Sequence, residues 1–176
     1  MALGLRQMEV SAKRALFTRA EANLYLAHIY VKHETNFLKA VEHLDFLVDR
    51  YPKNPIFQLR YVEALLLAGR YADGQVALQK LKKMQHKLLP AAIYTFEGIL
   101  AERVVKNDPA AIAAYQLALK QPVNIAYTIE EHSLAYAGLA RIAARANDRT
   151  LAKAYYKKAL EIAEYKFVVR EAKAFR

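Results

Sequence analysis

The stretch ALLLAGRYADGQVAL, residues 64–78, decides the fold. An apolar run closes on the tight turn Gly69-Arg70-Tyr71, and a second helix opens with the small residue Gly74. Leu78 follows four residues later and Leu81 three beyond that, so Gly74, Leu78 and Leu81 share one helix face. The small member lets a partner helix approach closely, and the large ones fill the space around it. A buried stripe is the expectation.

The same figure recurs along the chain, which points to internal repetition. Small residues stand at Ala40, Gly74, Ala111 and Ala152, at spacings of 34, 37 and 41 residues. Four positions on come Leu44, Leu78, Tyr115 and Tyr156, then Leu47, Leu81, Ala118 and Ala159. A first helix with its own stripe precedes each: Leu24, Ala27, His28, Val31; Tyr61, Val62, Leu65; Tyr94, Gly98, Ala101; Tyr136, Leu139, Ala140, Ala143. Tyr94, Tyr115, Tyr136 and Tyr156 are thereby expected in the core. Thr18 to Glu21 and Thr128 to Glu131 read as capping boxes, and Asn54-Pro55 and Asp108-Pro109 place a capping side chain before a helix-initiating proline.

These residues resemble the tetratricopeptide repeat family. Ala64-Leu65, Gly69-Arg70-Tyr71 and Leu78 carry the likeness in the second unit. Gly138-Leu139-Ala140, Ala152, Tyr155-Tyr156 and Lys158-Ala159-Leu160 carry it in the fourth. The departures are His28 and Val62, where the family prefers a small residue, and Gln58 and Glu97 at usually apolar positions. The resemblance implies an all-α chain, a right-handed superhelical solenoid of stacked antiparallel helix pairs. Its repeats are expected over 21–54, 55–89, 90–123 and 124–164 of a single domain. A leading helix over 1–20, with Leu5, Met8, Ala12 and Leu16 at helical spacing, and a capping extension over 165–176 would cover the two ends.

Composition agrees with a folded helical protein. Of 176 residues, 55% are hydrophobic and 25% charged, with only 5 Gly and 5 Pro. The absence of cysteine excludes disulfides, thiol catalysis and thiolate metal sites. No apolar run approaches the ~20 residues of a membrane span. The first ten residues lack the apolar core and cleavage site of a signal peptide, which slightly favours the cytoplasm while the compartment stays open.

Chemistry is sparse. Ser11 and Ser133 lie outside any nucleophile-elbow setting, the glycines are dispersed, and the five histidines never form a helical metal-binding pair. Glu42, Asp45 and Asp49 read as a solvated helix face, and His28 as a half-buried core histidine. We therefore expect no enzyme, no cofactor and no metal.

A protein-binding scaffold is the expected function. In the family the first helices line a concave groove. Carried over, the groove set is Tyr25, Ile29, Lys32 and His33, then Ile56, Leu59, Glu63 and Leu66. The later units add Thr95, Ile99, Glu102 and Arg103, then Ala137, Arg141 and Arg145. The partner-binding residues expected from it are Tyr25, Ile29, Ile56, Leu59, Glu63, Leu66, Thr95, Ile99, Arg141 and Arg145. A partner peptide or helix would meet an apolar half and a basic end. The family's carboxylate clamp needs Lys and Asn where this chain has Tyr25, Ile29, Arg60, Ala92 and Phe96, so that mode is not expected. The alternative is nucleic-acid or anionic-surface binding. It rests on a net charge of +10 and a basic C-terminal third, in which Arg149, Lys153 and Lys157 form a stripe. It ranks second because no aromatic residues interleave with that stripe.

Overall fold

A computed structural model describes residues 2–14 and 18–175; Leu16 and Arg176 lie outside them. The described residues are helical and contain no strand. The helices are α1 (Ala2–Arg14), α2 (Arg19–Ile29), α3 (Phe37–Arg50), α4 (Pro55–Leu67), α5 (Tyr71–Lys82), α6 (Leu89–Leu100), α7 (Asp108–Leu119), α8 (Ile129–Arg145), α9 (Arg149–Ile162) and α10 (Lys166–Ala174). Two of them, α2 and α6, run on into π-helical turns, Tyr30–Glu34 and Ala101–Val105.

Four hairpins, α2/α3, α4/α5, α6/α7 and α8/α9, turn by one device. Each carries a left-handed residue two positions before its second helix: Thr35 (φ 51°), Gly69 (φ 74°), Lys106 (φ 58°) and Asn147 (φ 61°). The next backbone N–H then reaches back to close the first helix, as Arg70 does to Leu65 O at 2.9 Å and Asp148 to Ala143 O at 3.0 Å. After the π turns the reach is one residue longer, Asn36 to Tyr30 O and Asn107 to Ala101 O. Five residues after each left-handed residue stands the small residue of the stripe, and all twelve stripe positions are buried. The shared turn puts the small residue at the same place on every second helix, so a sequence spacing becomes a repeated packing contact.

The capping expectations hold in part. Asn54 accepts from the N–H groups of Ile56 and Phe57. At α7 the cap is Asn107, accepting from Ala110 N–H, and Asp108 is released for another role. Neither threonine forms its capping box. The Thr128 hydroxyl instead accepts from Asn124 N–H at 2.8 Å, which ties down the preceding loop.

The chain falls into two compact units, Met1–Ala77 and Leu78–Arg176. In the first, α1 packs on α2, α2 on α3 and α3 on α4. Polar contacts hold α1 in place: Glu9 accepts from the Tyr30 hydroxyl and Lys39, and Ala12 O accepts from Asn23 at 3.2 Å. His43 stacks on Tyr30 and donates to Asn23 Oδ1 at 2.8 Å in the tautomer that suits that oxygen. These bonds from Tyr30 and Lys39 hold the Glu9 carboxyl below its ordinary range.

In the second unit α8 is central, packing against α6, α7, α9 and α10. Gly98 of α6 and Gly138 of α8 flank the buried Tyr115 ring of α7. A methyl group at Gly98 would lie 2.5 Å from that ring and one at Gly138 2.3 Å, so the glycines make room for the aromatic. The closing helix α10 sets Ala172 and Phe175 against Ala140, Tyr156 and Tyr155. Tyr115 and Tyr156 are buried as expected, whereas Tyr94 and Tyr136 are only half-buried.

Candidate functional site

The expected groove residues divide by unit and by burial. In the first unit Tyr25 is 60% exposed, and Ile29 and Ile56 are half-buried, so all three are accessible to a partner. Leu59, Glu63 and Leu66 are buried and present no surface to one. Helix α4 packs against α3, and the backbone of α5 at Gly74 comes so close that an added methyl would meet Leu66 at 2.6 Å. Glu63 is taken up by Arg60 of its own helix at 2.9 Å, both side chains being nearly inaccessible. Burial, with the neighbouring Arg60 charge second, pushes the nearby His28 imidazole down from 6.5 to about 4, against the opposing pull of Glu63.

In the second unit Thr95 and Ile99 are also buried, and the Thr95 hydroxyl donates to Glu131 O of α8 at 3.1 Å. Arg141, expected as part of the basic end of a binding surface, instead serves a largely buried network, while Arg145 joins that network with its side chain still 46% exposed. Arg141 reaches Glu102 through two parallel bonds, Nε to Oε1 at 2.9 Å and Nη2 to Oε2 at 2.8 Å. Its third nitrogen donates to both oxygens of Glu171 on α10. Arg145 bonds Glu102 at 3.1 Å and Asp108 at 2.7 Å, and the hydroxyls of Tyr115 and Tyr156 donate to Glu102 and Glu171. Burial alone would raise the Glu102 carboxyl, whose side chain is 1% exposed, but the Arg141 bonds and charge hold it at about 2. The network fastens α6, α7, α8, α9 and α10 together. Its chemistry is structural, because every charge in it faces an opposite one.

The feature the sequence reading missed is the loop between α7 and α8. Val123 is 57% exposed and Ile125 79%, with Tyr127 also turned outward. Bonds made by Asn124 shape the loop: its Oδ1 accepts from the N–H of Ala126 and Tyr127, and its carbonyl from Thr128 and Ile129. The buried His132 ring stands 2.8 Å from Thr128 O and 3.1 Å from Gln121 O, tethering the loop at both ends. Between this loop and the start of α6 lies a pocket of about 250 Å³, lined by the apolar Leu88, Ala91, Pro122 and Val123 and by the polar Lys87, Gln121, Asn124 and Thr128. The signal was present as Pro122-Val123-Asn124-Ile125, an apolar pair around a turn residue, but periodicity does not register three residues in a loop.

Charge is as uneven as the sequence indicated. The second unit's residues hold 17 Lys/Arg against nine Asp/Glu, the first unit's ten against eight. In the second unit Glu102, Asp108 and Glu171 are neutralised internally, Glu97 pairs with Lys82 at 2.6 Å, and Glu130 and Glu131 are buried. Lys80, Lys83, Lys87, Lys120, Lys153 and Lys157 stay exposed, so this unit's surface is cationic. Among the described residues no helix is long and apolar enough to cross a membrane, and no cluster of metal-ligating side chains occurs. No protein-family model and no curated protein sequence matches the chain.

Proposed function

We propose that the protein is a scaffold of tetratricopeptide type, a right-handed solenoid of helix pairs that holds a peptide or helix of another protein. The observation that carries this reading is the fourfold recurrence of one turn at one distance from one buried small residue. Repeats built that way bury a continuous core and leave their outer faces to vary, which suits recognition rather than catalysis. Tyr25, Ile29 and Ile56 are the apolar members of the expected partner-binding set that stay accessible.

The second reading is an anionic ligand such as a nucleic acid, favoured by the exposed Lys153 and Lys157 of α9. The protein reading ranks first because each unit keeps apolar side chains exposed, Tyr25 in the first and Val123 and Ile125 in the second. The test is affinity capture from native lysate at near-physiological salt, then titration of each captured protein against the parent and Tyr25→Asp. Retention of a specific protein supports the scaffold. Recovery of nucleic acid alone, with binding that collapses as salt rises, supports the second reading instead.

A further inference from the structure

We propose that the pocket beneath the α7–α8 loop is a docking site for a linear acidic segment of a partner protein, one that inserts a single apolar anchor. The proposal rests on the scaffold reading and gives it a place and a partner chemistry.

Size comes first. At about 250 Å³ the pocket falls below the range of small-molecule sites, and half of its lining, Leu88, Ala91, Pro122 and Val123, is apolar. Such a cavity takes one side chain. Shape comes next. Ile125 is held in water at 79% exposure by a turn whose bonds are already made, so no ordering cost falls on this side of the complex. An isoleucine kept out of the core by Asn124 and Thr128, beside an apolar hollow, is a surface prepared for contact.

Charge selects the occupant. Lys87 lines the pocket, Lys83 and Lys120 are exposed nearby in sequence, and no acidic side chain lines it. The next acids along α8, Glu130 and Glu131, are buried. A segment carrying Asp or Glu beside a Leu, Ile or Phe would pair with Lys87 while its anchor fills the hollow. A basic segment would be repelled. The apolar half of the lining, which holds no aromatic ring, argues for a protein occupant over a nucleic acid, whose recognition needs stacking faces along a charged track.

The experiment is selection of phage-displayed random short peptides on the immobilised full chain. Enriched peptides are then titrated by fluorescence polarisation against the parent, Ile125→Asp and Lys87→Glu. Both substituted side chains are exposed, and circular dichroism checks that each variant is folded. A single-stranded RNA is titrated in parallel at near-physiological salt. The expected result is enrichment of apolar anchors flanked by Asp or Glu, with affinity lost by ~30-fold in Ile125→Asp and ~10-fold in Lys87→Glu. Enriched peptides that lack acids, or that bind both variants as they bind the parent, overturn the docking site and leave the scaffold reading standing. No enrichment of any peptide, or tight RNA binding in its place, overturns both.

Discussion

Glu102, in the π-helical turn that ends α6, receives both Nε and Nη2 of Arg141 on α8, 39 residues later in the chain. The pair is nearly inaccessible on the acidic side and 18% exposed on the basic side. Two parallel bonds fix relative orientation as well as distance, so this fork sets how α8 lies against the end of α6.

Removing the acid takes the bidentate partner from Arg141, which keeps only Glu171, and leaves Arg145 with Asp108 alone. We expect Glu102→Ala to destabilise the protein by about 3 to 5 kcal/mol in denaturant unfolding, the scale for breaking a buried pair from one side. The pH dependence has a definite sign. The carboxyl is depressed from 4.5 to about 2 by folding, so its stabilisation is complete above pH 4.5 and drains away as pH falls towards 2. Stability measured across that window should fall with acid in the parent, and the fall should be shallower in Glu102→Gln.

Tyr115 donates to Glu102 at 2.8 Å while its ring lies between Gly98 and Gly138. A ring held at both edge and tip cannot swing aside for a methyl group. Gly98→Ala and Gly138→Ala should each lower stability by ~1 to 3 kcal/mol, even though alanine is the better helix former. Gly4→Ala is the control, because nothing lies near its added methyl, and it should leave the thermal midpoint unchanged or raise it. Equal behaviour of all three would refute the account of the ring.

His28 gives a second pH signature, in a higher window. Its imidazole is pushed from 6.5 to about 4, chiefly by burial. Acidification through that interval protonates the unfolded chain before the folded one, so stability should decline from pH 6.5 down to 4. The half-buried His43 imidazole is likewise lowered from 6.5, chiefly by burial, so His28→Leu should flatten this segment of the profile without abolishing it and leave the Glu102 segment in place.

Two core substitutions test the repeat register. Ala118 is buried against its partner helices, and Ala118→Leu should overpack that contact at a cost of ~1 to 3 kcal/mol. Leu59 is fully buried, so Leu59→Asp should unfold the first unit rather than act on a surface, through the cost of an unpaired buried charge. Circular dichroism separates the outcomes: a folded Leu59→Asp variant would return that residue to the accessible groove.

The repeat was legible in the sequence because its cause is local. A helix crossing requires a small residue, helical periodicity places its large neighbours at fixed offsets, and the spacings of 34, 37 and 41 are matched by the left-handed turn residues. Thr35, Lys106 and Asn147 were harder to see than Gly69, since a non-glycine residue adopts that conformation only when the flanking helices compel it.

The expected binding set fared differently. The family resemblance implies that Tyr25, Leu59, Thr95 and Arg141 of the first helices line a groove, but it does not say which of their faces another helix covers in this chain. Leu59 and Thr95 are covered and Tyr25 is left open. Arg141 reads as a free cation until Glu102 and Glu171, 39 and 30 residues away, are seen to enclose it. The Val123 to Tyr127 loop went unread, although Pro122-Val123-Asn124-Ile125 marks it, because exposure of an apolar residue in a turn has no period.

The sequence by itself determined four helix pairs, their buried stripes, the Gly69 turn and an excess of positive charge. These follow from steric and periodic rules that act within about ten residues. Only the tertiary structure decided which charges cancel and which apolar side chains stay in water. Both outcomes depend on what a distant segment brings alongside: Glu102 meets Arg141 because α6 and α8 pack together, and Ile125 stays exposed because the loop's bonds to Asn124, Thr128 and His132 hold it there.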